Sequence, residues 1–190
     1  IDLSAGRMRN LIQDLMAYGA TESIDNSLTI VSLKNLVLDV KDILSEELKE
    51  HKTLLRVQKD CPITVRPVQF KQLLFNLFTN AIKFSKNEIK PTIKVHGSVV
   101  NGADYPELNL NEDRQYSRIL ISDNGIGFDQ KYENKVFEIF QRLHSDEEYQ
   151  GTGIGLAIVK RIVTTHSGQI RVESSLGNGA VFDIFIPLAD

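Results

Sequence analysis

The apolar positions of this chain change their spacing as it proceeds, and each change marks an element. Over 1–23 they recur at helical intervals. Ile1, Met8 and Leu15 stand seven apart, Leu11 and Tyr18 fill the seam, and Arg7, Arg9, Gln13 and Asp14 take polar positions. A stripe of this length needs a partner, either a helical bundle or dimer or the chain's own domain. Residues 21–27 are polar and punctuated, as a linker would be. A short strand is expected at 28–31. Ser32 is placed to cap a helix over 33–48, with Leu36, Val37, Val40, Ile43, Leu44 and Leu48 on its apolar face. Short strands are expected at 53–58 and 63–65. Pro67 suits the first turn of a helix running to Phe84, with Phe70, Leu73, Leu74, Leu77, Phe78, Ala81 and Ile82 as a broad apolar face.

The spacing then shifts to two, which predicts strands at 92–100 and 116–123. Between them, 101–115 holds Asn101-Gly102, a proline and several acids, and reads as a long exposed hairpin loop, mobile and without chemistry. A further helix is expected over 156–166, ended by Ser167-Gly168. Closing strands at 169–174 and 180–187 meet across Leu176-Gly177-Asn178-Gly179, a strong hairpin signal. Strands and helices mixed without strict alternation predict an α+β fold, a mixed sheet with helices layered on one face.

Composition narrows this picture. A chain of 190 residues, 42% hydrophobic and 25% charged, has room for one real core. A net charge of −3 points away from nucleic acid or an anionic membrane as the main partner. Cys61 is alone, so no disulfide forms within the chain and a reducing compartment is expected. It reads as a small half-buried residue rather than a reactive thiol. No apolar run approaches the ~18 residues of a membrane span, and no signal peptide is visible. The expected location is cytoplasmic, with a parent protein that could be membrane-anchored. The start at Ile1 without a methionine suggests a piece of something longer.

Chemistry concentrates in three stretches. Asp123-Asn124-Gly125-Ile126-Gly127-Phe128 ends an apolar strand in an acid, an amide and two glycines. The carboxylate there either closes an Asx-turn or accepts from an exocyclic amine of adenine, with Gly127 letting a flat ring lie against the backbone. Gly151-Thr152-Gly153-Ile154-Gly155-Leu156 can bring bare backbone and N–H groups to phosphates at the start of a helix. It is neither a P-loop nor the dinucleotide fingerprint, which would need glycine where Leu156 stands. On the helix to Phe84, Asn76, Asn80 and Lys83 fall at i, i+4 and i+7. They are either a solvated face or, amid seven core residues, a cavity floor. Their amide oxygens suit Mg²⁺, alongside waters and phosphate oxygens.

Together these stretches resemble sensor histidine kinases of two-component signal transduction. Asn76-Leu77-Phe78-Thr79-Asn80-Ala81-Ile82-Lys83-Phe84 resembles their N box, and the stretch from Asp123 to Phe128 their G1 box. Phe137-Glu138-Ile139-Phe140-Gln141-Arg142 resembles the F box, the stretch from Gly151 to Leu156 the G2 box, and Gly177-Asn178-Gly179 the last glycine pair. Order and spacing match across about residues 28–188. The resemblance implies the α/β sandwich shared with gyrase, heat-shock chaperone and mismatch-repair ATPases, two-layered, with three helices on one face of a mixed sheet. It implies a division into 1–24, the second helix of a dimerisation domain, as in Arg9-Asn10-Leu11-Ile12-Gln13-Asp14-Leu15, and 25–190, a catalytic ATP-binding domain.

Carried over residue by residue, the resemblance implies that Asp123 binds the adenine amine, with Gly125 and Gly127 in the same turn and Phe84 beside the base. It implies that Asn80 holds Mg²⁺ with Asn76 in the phosphate and metal network, and that Lys83 contacts phosphate. Arg142 would steady the γ-phosphate, Gly151 to Leu156 would line the phosphates, and 129–150 would be an ATP lid. The implied activity is transfer of the ATP γ-phosphate to a histidine on a dimerisation domain, for relay to a response regulator, in a homodimeric parent. The acceptor helix of that family has no counterpart in this sequence, and none of His51, His96, His144 or His166 fits the acceptor's place. Related hydrolases carry a glutamate four residues before the metal-binding asparagine, where this chain has Asn76. The alternatives are a superfamily ATP hydrolase and a nucleotide-binding regulatory module.

Overall fold

The computed structural model describes residues 27–141 and 152–189. The helix expected over 1–23 and residues 142–150 of the lid stretch lie outside the described residues. Strand β1 (Thr29–Ser32) pairs antiparallel with β3 (Pro62–Val65) as a separate two-stranded ribbon. The main sheet comprises β2 (Leu54–Lys59), β4 (Thr92–Asn101), β5 (Gln115–Asp123), β6 (Gln169–Ser174) and β7 (Ala180–Pro187), in the order β2-β4-β5-β7-β6. Only β2 and β4 run parallel; the other neighbours are antiparallel. The sheet is therefore mixed, as expected.

Register sorts the two faces. Ile93, Val95, Ile119, Ile121, Ile170, Val172, Phe182, Ile184 and Ile186 alternate onto one face and join the helical side chains in the main core. That face is covered by α1 (Leu33–Ile43), α3 (Pro67–Lys83) and α4 (Gly155–Thr165), with the short α2 (Ser45–Glu50) beside α1. The start of α1 is well satisfied. Ser32 Oγ accepts from Asn35 N at 3.2 Å and donates to Asp60 Oδ2 at 2.8 Å, while Asp60 Oδ1 accepts from Lys34 N at 2.8 Å. A carboxylate at this end also complements the helix dipole. Cys61 is buried beneath Gly97, and burial, with the charge of Asp60 adding to it, pushes its thiol up to about 11; it is an inert core residue.

Two expectations are corrected. The helix expected over 33–48 breaks at Leu44, which leaves helical geometry at φ −90°, ψ 15° before α2 resumes. The bend keeps Leu44 and Leu48 buried but leaves Ile43, expected on the apolar face, 63% exposed. The stretch 101–115 is no loose loop. Its short 3-10 turns, Gly102–Asp104 and Pro106–Leu108, fold over the sheet's outer face, where Leu110, Tyr116 and Phe185 form a second apolar cluster with Val100, Tyr105 and Leu108. Beside it, Arg118 chelates Asp183 at 2.9 and 3.0 Å, and Arg171 bridges Asp183 to Glu107 at 3.0 and 2.9 Å. The expectation failed because the cover for this loop, Phe185, arrives from a strand far downstream.

His166 joins the ends of two helices. It accepts from the Arg66 backbone N–H on Nε2 at 2.9 Å and, in the tautomer this requires, donates from Nδ1 to Ile162 O at 2.7 Å. Burial, with the nearby Arg66 charge, lowers its pKa against the opposing Ile162 bond. Below about pH 6.5 the unfolded chain therefore takes up a proton that the native state refuses, and stability is lost as pH falls from there through the lowered native pKa. Between about pH 7.5 and 5.5 the wild type should lose more stability than His166→Gln in denaturant titrations. Equal losses would show that His166 titrates as freely in the fold as in the unfolded chain.

Candidate functional site

The site is assembled where α3 ends. Helix α3 buries Phe70, Leu73, Leu74, Leu77, Phe78, Ala81 and Ile82, which fixes the azimuth of the polar stripe running from Asn76 through Asn80 to Lys83. Asn76 is buried, and both its amide atoms are engaged. Oδ1 accepts from Gln72 Nε2 at 3.3 Å, and Nδ2 donates to Gly155 O at 3.4 Å. Gly155 opens α4 directly against this stripe: a β-carbon there would lie 4.0 Å from both Asn76 Cγ and Asn80 Nδ2. Helix α4 thus presents its first turn, whose N–H groups precede the helical ladder, beside the Asn80 amide. Lys83 lies one turn further on, its Nζ 4.6 Å from the centre of the Phe84 ring.

The second wall follows from the end of β5. Asp123 Oδ1 accepts from Gly125 N at 2.8 Å and from Ala180 N at 3.3 Å. The Asx-turn does form, but both bonds fall on Oδ1, leaving Oδ2 for a ligand. Burial raises the Asp123 pKa against the pull of the two N–H groups, so a further donor at Oδ2 would favour the ionised form. Asn124 has a different role: it accepts from Thr92 N at 2.8 Å and donates to Lys90 O at 3.0 Å, fastening the turn to the start of β4. The turn is tied to α3 as well, since Ile126 N donates to Phe84 O at 2.9 Å. This approach leaves no room at Gly125, where a β-carbon would meet Phe84 O at 2.5 Å. Gly127 has φ +63° and presses on Ser175 O, so it too admits no side chain.

Of the glycine segment, Thr152 to Leu156 are described; Gly151 and Arg142 lie outside the described residues, as does His144. Thr152 Oγ1 accepts from Ile154 N at 3.4 Å, and Gly153 O accepts from Phe140 N at 3.0 Å. Ile154 is buried in the main core and Leu156 packs against it, so these two anchor the segment. The structure therefore brings Gly155, with Thr152 and Gly153 just before it in the chain, against Asn76 and Asn80, and ties Phe84 to the turn of Asp123, Gly125 and Gly127. The candidate cleft is the ground between these two groups at the end of α3. The sequence pattern did not point to Ala180 N or Phe84 O, because a backbone group leaves no side-chain signature. Spacing marked the turn at 177–179 as a hairpin and the resemblance marked it as the last glycine pair; Gly177 N donates to Ile126 O at 2.7 Å and docks that hairpin on the turn that follows Asp123.

Among the described residues no group of three or more His, Cys, Asp or Glu could hold a metal. The fit is to a Mg²⁺ held mainly by phosphate oxygens and water, with one protein amide oxygen. Asn80 can give that oxygen; Asn76 Oδ1 already accepts from Gln72 Nε2, with its Nδ2 on Gly155 O, and keeps one lone pair. No helix of the described residues is long and apolar enough to cross a membrane.

Comparison with known proteins agrees with this geometry. Residues 65–190 match the family of histidine kinase-, DNA gyrase B-, and HSP90-like ATPases. The chain is 33% identical over 185 residues to phytochrome-like protein Cph1 of Synechocystis sp., covering 96% of this chain and 23% of that protein. It is 28% identical over 190 residues to the adaptive-response sensory kinase SasA of Gloeothece citriformis, covering 95% and 44%. It thus spans less than half the length of these curated relatives. Its fold is like that of full-length ShkA in complex with AMPPNP (TM-score 0.73, 24% identity, 98% of this chain and 38% of that one). It is also like the catalytic domain of histidine kinase ThkA (TM-score 0.65, 23% identity, 85% and 95%). The α+β layering, the paired asparagines under Gly155, the Asp123 turn and the match over 65–190 converge: the chain belongs to the histidine kinase-, DNA gyrase B- and HSP90-like ATPase family.

Proposed function

We propose that this chain is the ATP-binding catalytic part of a sensor histidine kinase, passing the γ-phosphate of ATP to a histidine on a dimerisation domain. The observation that carries the choice of kinase over hydrolase is Asn76. Hydrolysis needs a base to take a proton from water, and the group four residues before Asn80 is an amide whose two polar atoms are bonded to Gln72 and Gly155. What remains is a site that positions a nucleotide. Asp123 Oδ2 accepts from the adenine amine, while Gly125 and Gly127 admit the flat ring beside Phe84. The first turn of α4 offers N–H groups to the phosphates, Lys83 adds a cation, and Asn80 supplies an oxygen to Mg²⁺. Bound there, Mg²⁺ neutralises phosphate charge. Transfer of this kind is mostly positioning plus charge stabilisation, so the nucleophile can come from another domain.

The residues before the ribbon, 1–24, are assigned to the second helix of that dimerisation domain, and a homodimeric parent follows. Arg142 and Gly151 keep their proposed roles at the γ-phosphate and the phosphate loop. The next acceptor is proposed to be a response regulator's receiver domain; ThkA, of similar fold, has been solved in complex with a response regulator protein, TrrA. The test is transfer of labelled γ-phosphate from ATP to a separately supplied dimerisation domain carrying its histidine. Label on that added chain, lost with Asn80→Asp, is the expected result. Steady release of free phosphate by this chain alone would assign a hydrolase instead.

A further inference from the structure

Ser174 closes β6 at the point where the hairpin turns, and a serine there would ordinarily do no more than cap the turn. Its bonds reach further. Ser174 Oγ donates to Gly179 O at 2.7 Å and accepts from Phe128 N at 2.9 Å, 46 residues away. Its backbone N donates to Gln130 Oε1 at 2.7 Å, while Gln130 Nε2 donates to Val172 O at 3.1 Å. One hydroxyl thus stands between the residue that follows the Gly127 turn and the residue that precedes Ala180. Both ends bear on Asp123. Ala180 N occupies Asp123 Oδ1, and Gly179 presses so closely that a β-carbon on it would lie 2.1 Å from Asp123 O. Gly127 packs equally tightly on Ser175 O and Gly179 O, at 2.2 and 2.8 Å from an ideal β-carbon.

We propose that the Ser174 hydroxyl is a positioning residue for base recognition, locking the Gly127–Phe128 turn to Gly179–Ala180 so that the Asp123 carboxylate is held with Oδ1 filled and Oδ2 presented. The inference rests on the reading of the cleft as an adenine-nucleotide site. A hydroxyl can donate to a carbonyl and accept from an amide at once. Without it, Gly179 O and Phe128 N each lose a partner, and the two turns are held more loosely, by Gly177 N on Ile126 O and Ala180 N on Asp123 Oδ1. Asp123 then keeps its charge but loses its aim. The loss should fall on discrimination between bases, because adenine offers an amine donor where guanine offers a carbonyl oxygen.

The experiment compares ADP and GDP affinity, with Mg²⁺, for the full chain and for Ser174→Ala, Ser174→Thr and Ser174→Cys, alongside the melting temperature of each without nucleotide. Two bonds of ordinary net strength predict that Ser174→Ala binds ADP about tenfold more weakly. Its preference for ADP over GDP should narrow by a similar factor, and Ser174→Thr, which keeps the hydroxyl, should restore both. Ser174→Cys keeps the volume with a much weaker donor and acceptor; it should follow alanine, and it replaces alanine should that variant fail to fold. A lower melting temperature with the base preference unchanged would make Ser174 a turn cap and overturn the proposal. Wild type that binds neither nucleotide would instead refute the reading of the cleft, whatever Ser174 does.

Discussion

Asp123→Asn is expected to bind ADP about 100-fold more weakly than the wild type, with little change in melting temperature. The asparagine keeps an Oδ1 acceptor for Gly125 N and Ala180 N, so the turn survives. It puts an NH₂ group where Oδ2 stood, and two donors then face each other across the adenine amine. A hydrogen bond to a charged acceptor contributes about 1.5–3 kcal/mol, and each 1.4 kcal/mol is tenfold in affinity. Asp123→Ala should bind as poorly but also melt lower, since it strips both backbone N–H groups of their acceptor. Acidification should act in the same direction as the substitution. Burial raises the carboxyl pKa of the free site, so ADP affinity falls as pH drops toward that raised value and the acceptor is protonated. Calorimetry on the three proteins decides the matter, and equal affinities for wild type and Asp123→Asn would remove Asp123 from the base contact.

The second large effect is steric. Gly177 and Gly179 lie two residues apart in one turn, with φ of +81° and +77°, and by sequence nothing separates them. Their surroundings do. A β-carbon at Gly177 meets nothing within 4 Å, whereas at Gly179 it meets Asp123 O at 2.1 Å, Asp123 C at 2.8 Å and Asn124 Cα at 3.0 Å. All three are backbone and cannot swing aside. Gly177→Ala should cost only the left-handed penalty, about 1–2 kcal/mol, and bind nucleotide normally. Gly179→Ala should cost about 4 kcal/mol and abolish binding in whatever fraction stays folded, because the turn carrying Asp123 must move. Denaturant titrations that rank the two variants equally would contradict the packing described.

Most of this fold was legible in the chain because one face of each element is buried. Period-two runs became β4, β5, β6 and β7 within a residue or so of the expected ends, and Pro67 opened α3 as its missing N–H allows. The failures share a cause, which is dependence on distant partners. Phe185 and Asp183 organise the stretch after β4, and neither is visible from within it. The break at Leu44 follows from which leucines the core accepts, not from any glycine or proline. Within the cleft, the side chains that converge were recoverable from spacing. Asn76 and Asn80 share a stripe at i and i+4, and Asp123 stands at a strand end before glycines. The groups that aim them were not recoverable: Ala180 N, Phe84 O and the Gly155 carbonyl are backbone, and backbone has no letter. By spacing alone the Asn76 amide suits a metal; its two bonds leave Asn80 as the better oxygen.

The proposal that this chain positions ATP for a histidine on another domain is tested most directly by following the γ-phosphate. None of the described histidines is placed to attack: His166 is buried with both ring nitrogens bonded, His51 follows α2 at the surface, and His96 lies on the outer sheet face away from the helices. Labelled ATP with Mg²⁺ is given to the chain alone, and then to the chain mixed with a separate dimerisation domain bearing its histidine. The expected result is almost no label and only trace phosphate release in the first tube. In the second, acid-labile label appears on the added domain and is abolished by Asn80→Asp. Strong labelling of this chain by itself, persisting when His51, His96, His144 and His166 are all replaced by glutamine, would contradict the assignment.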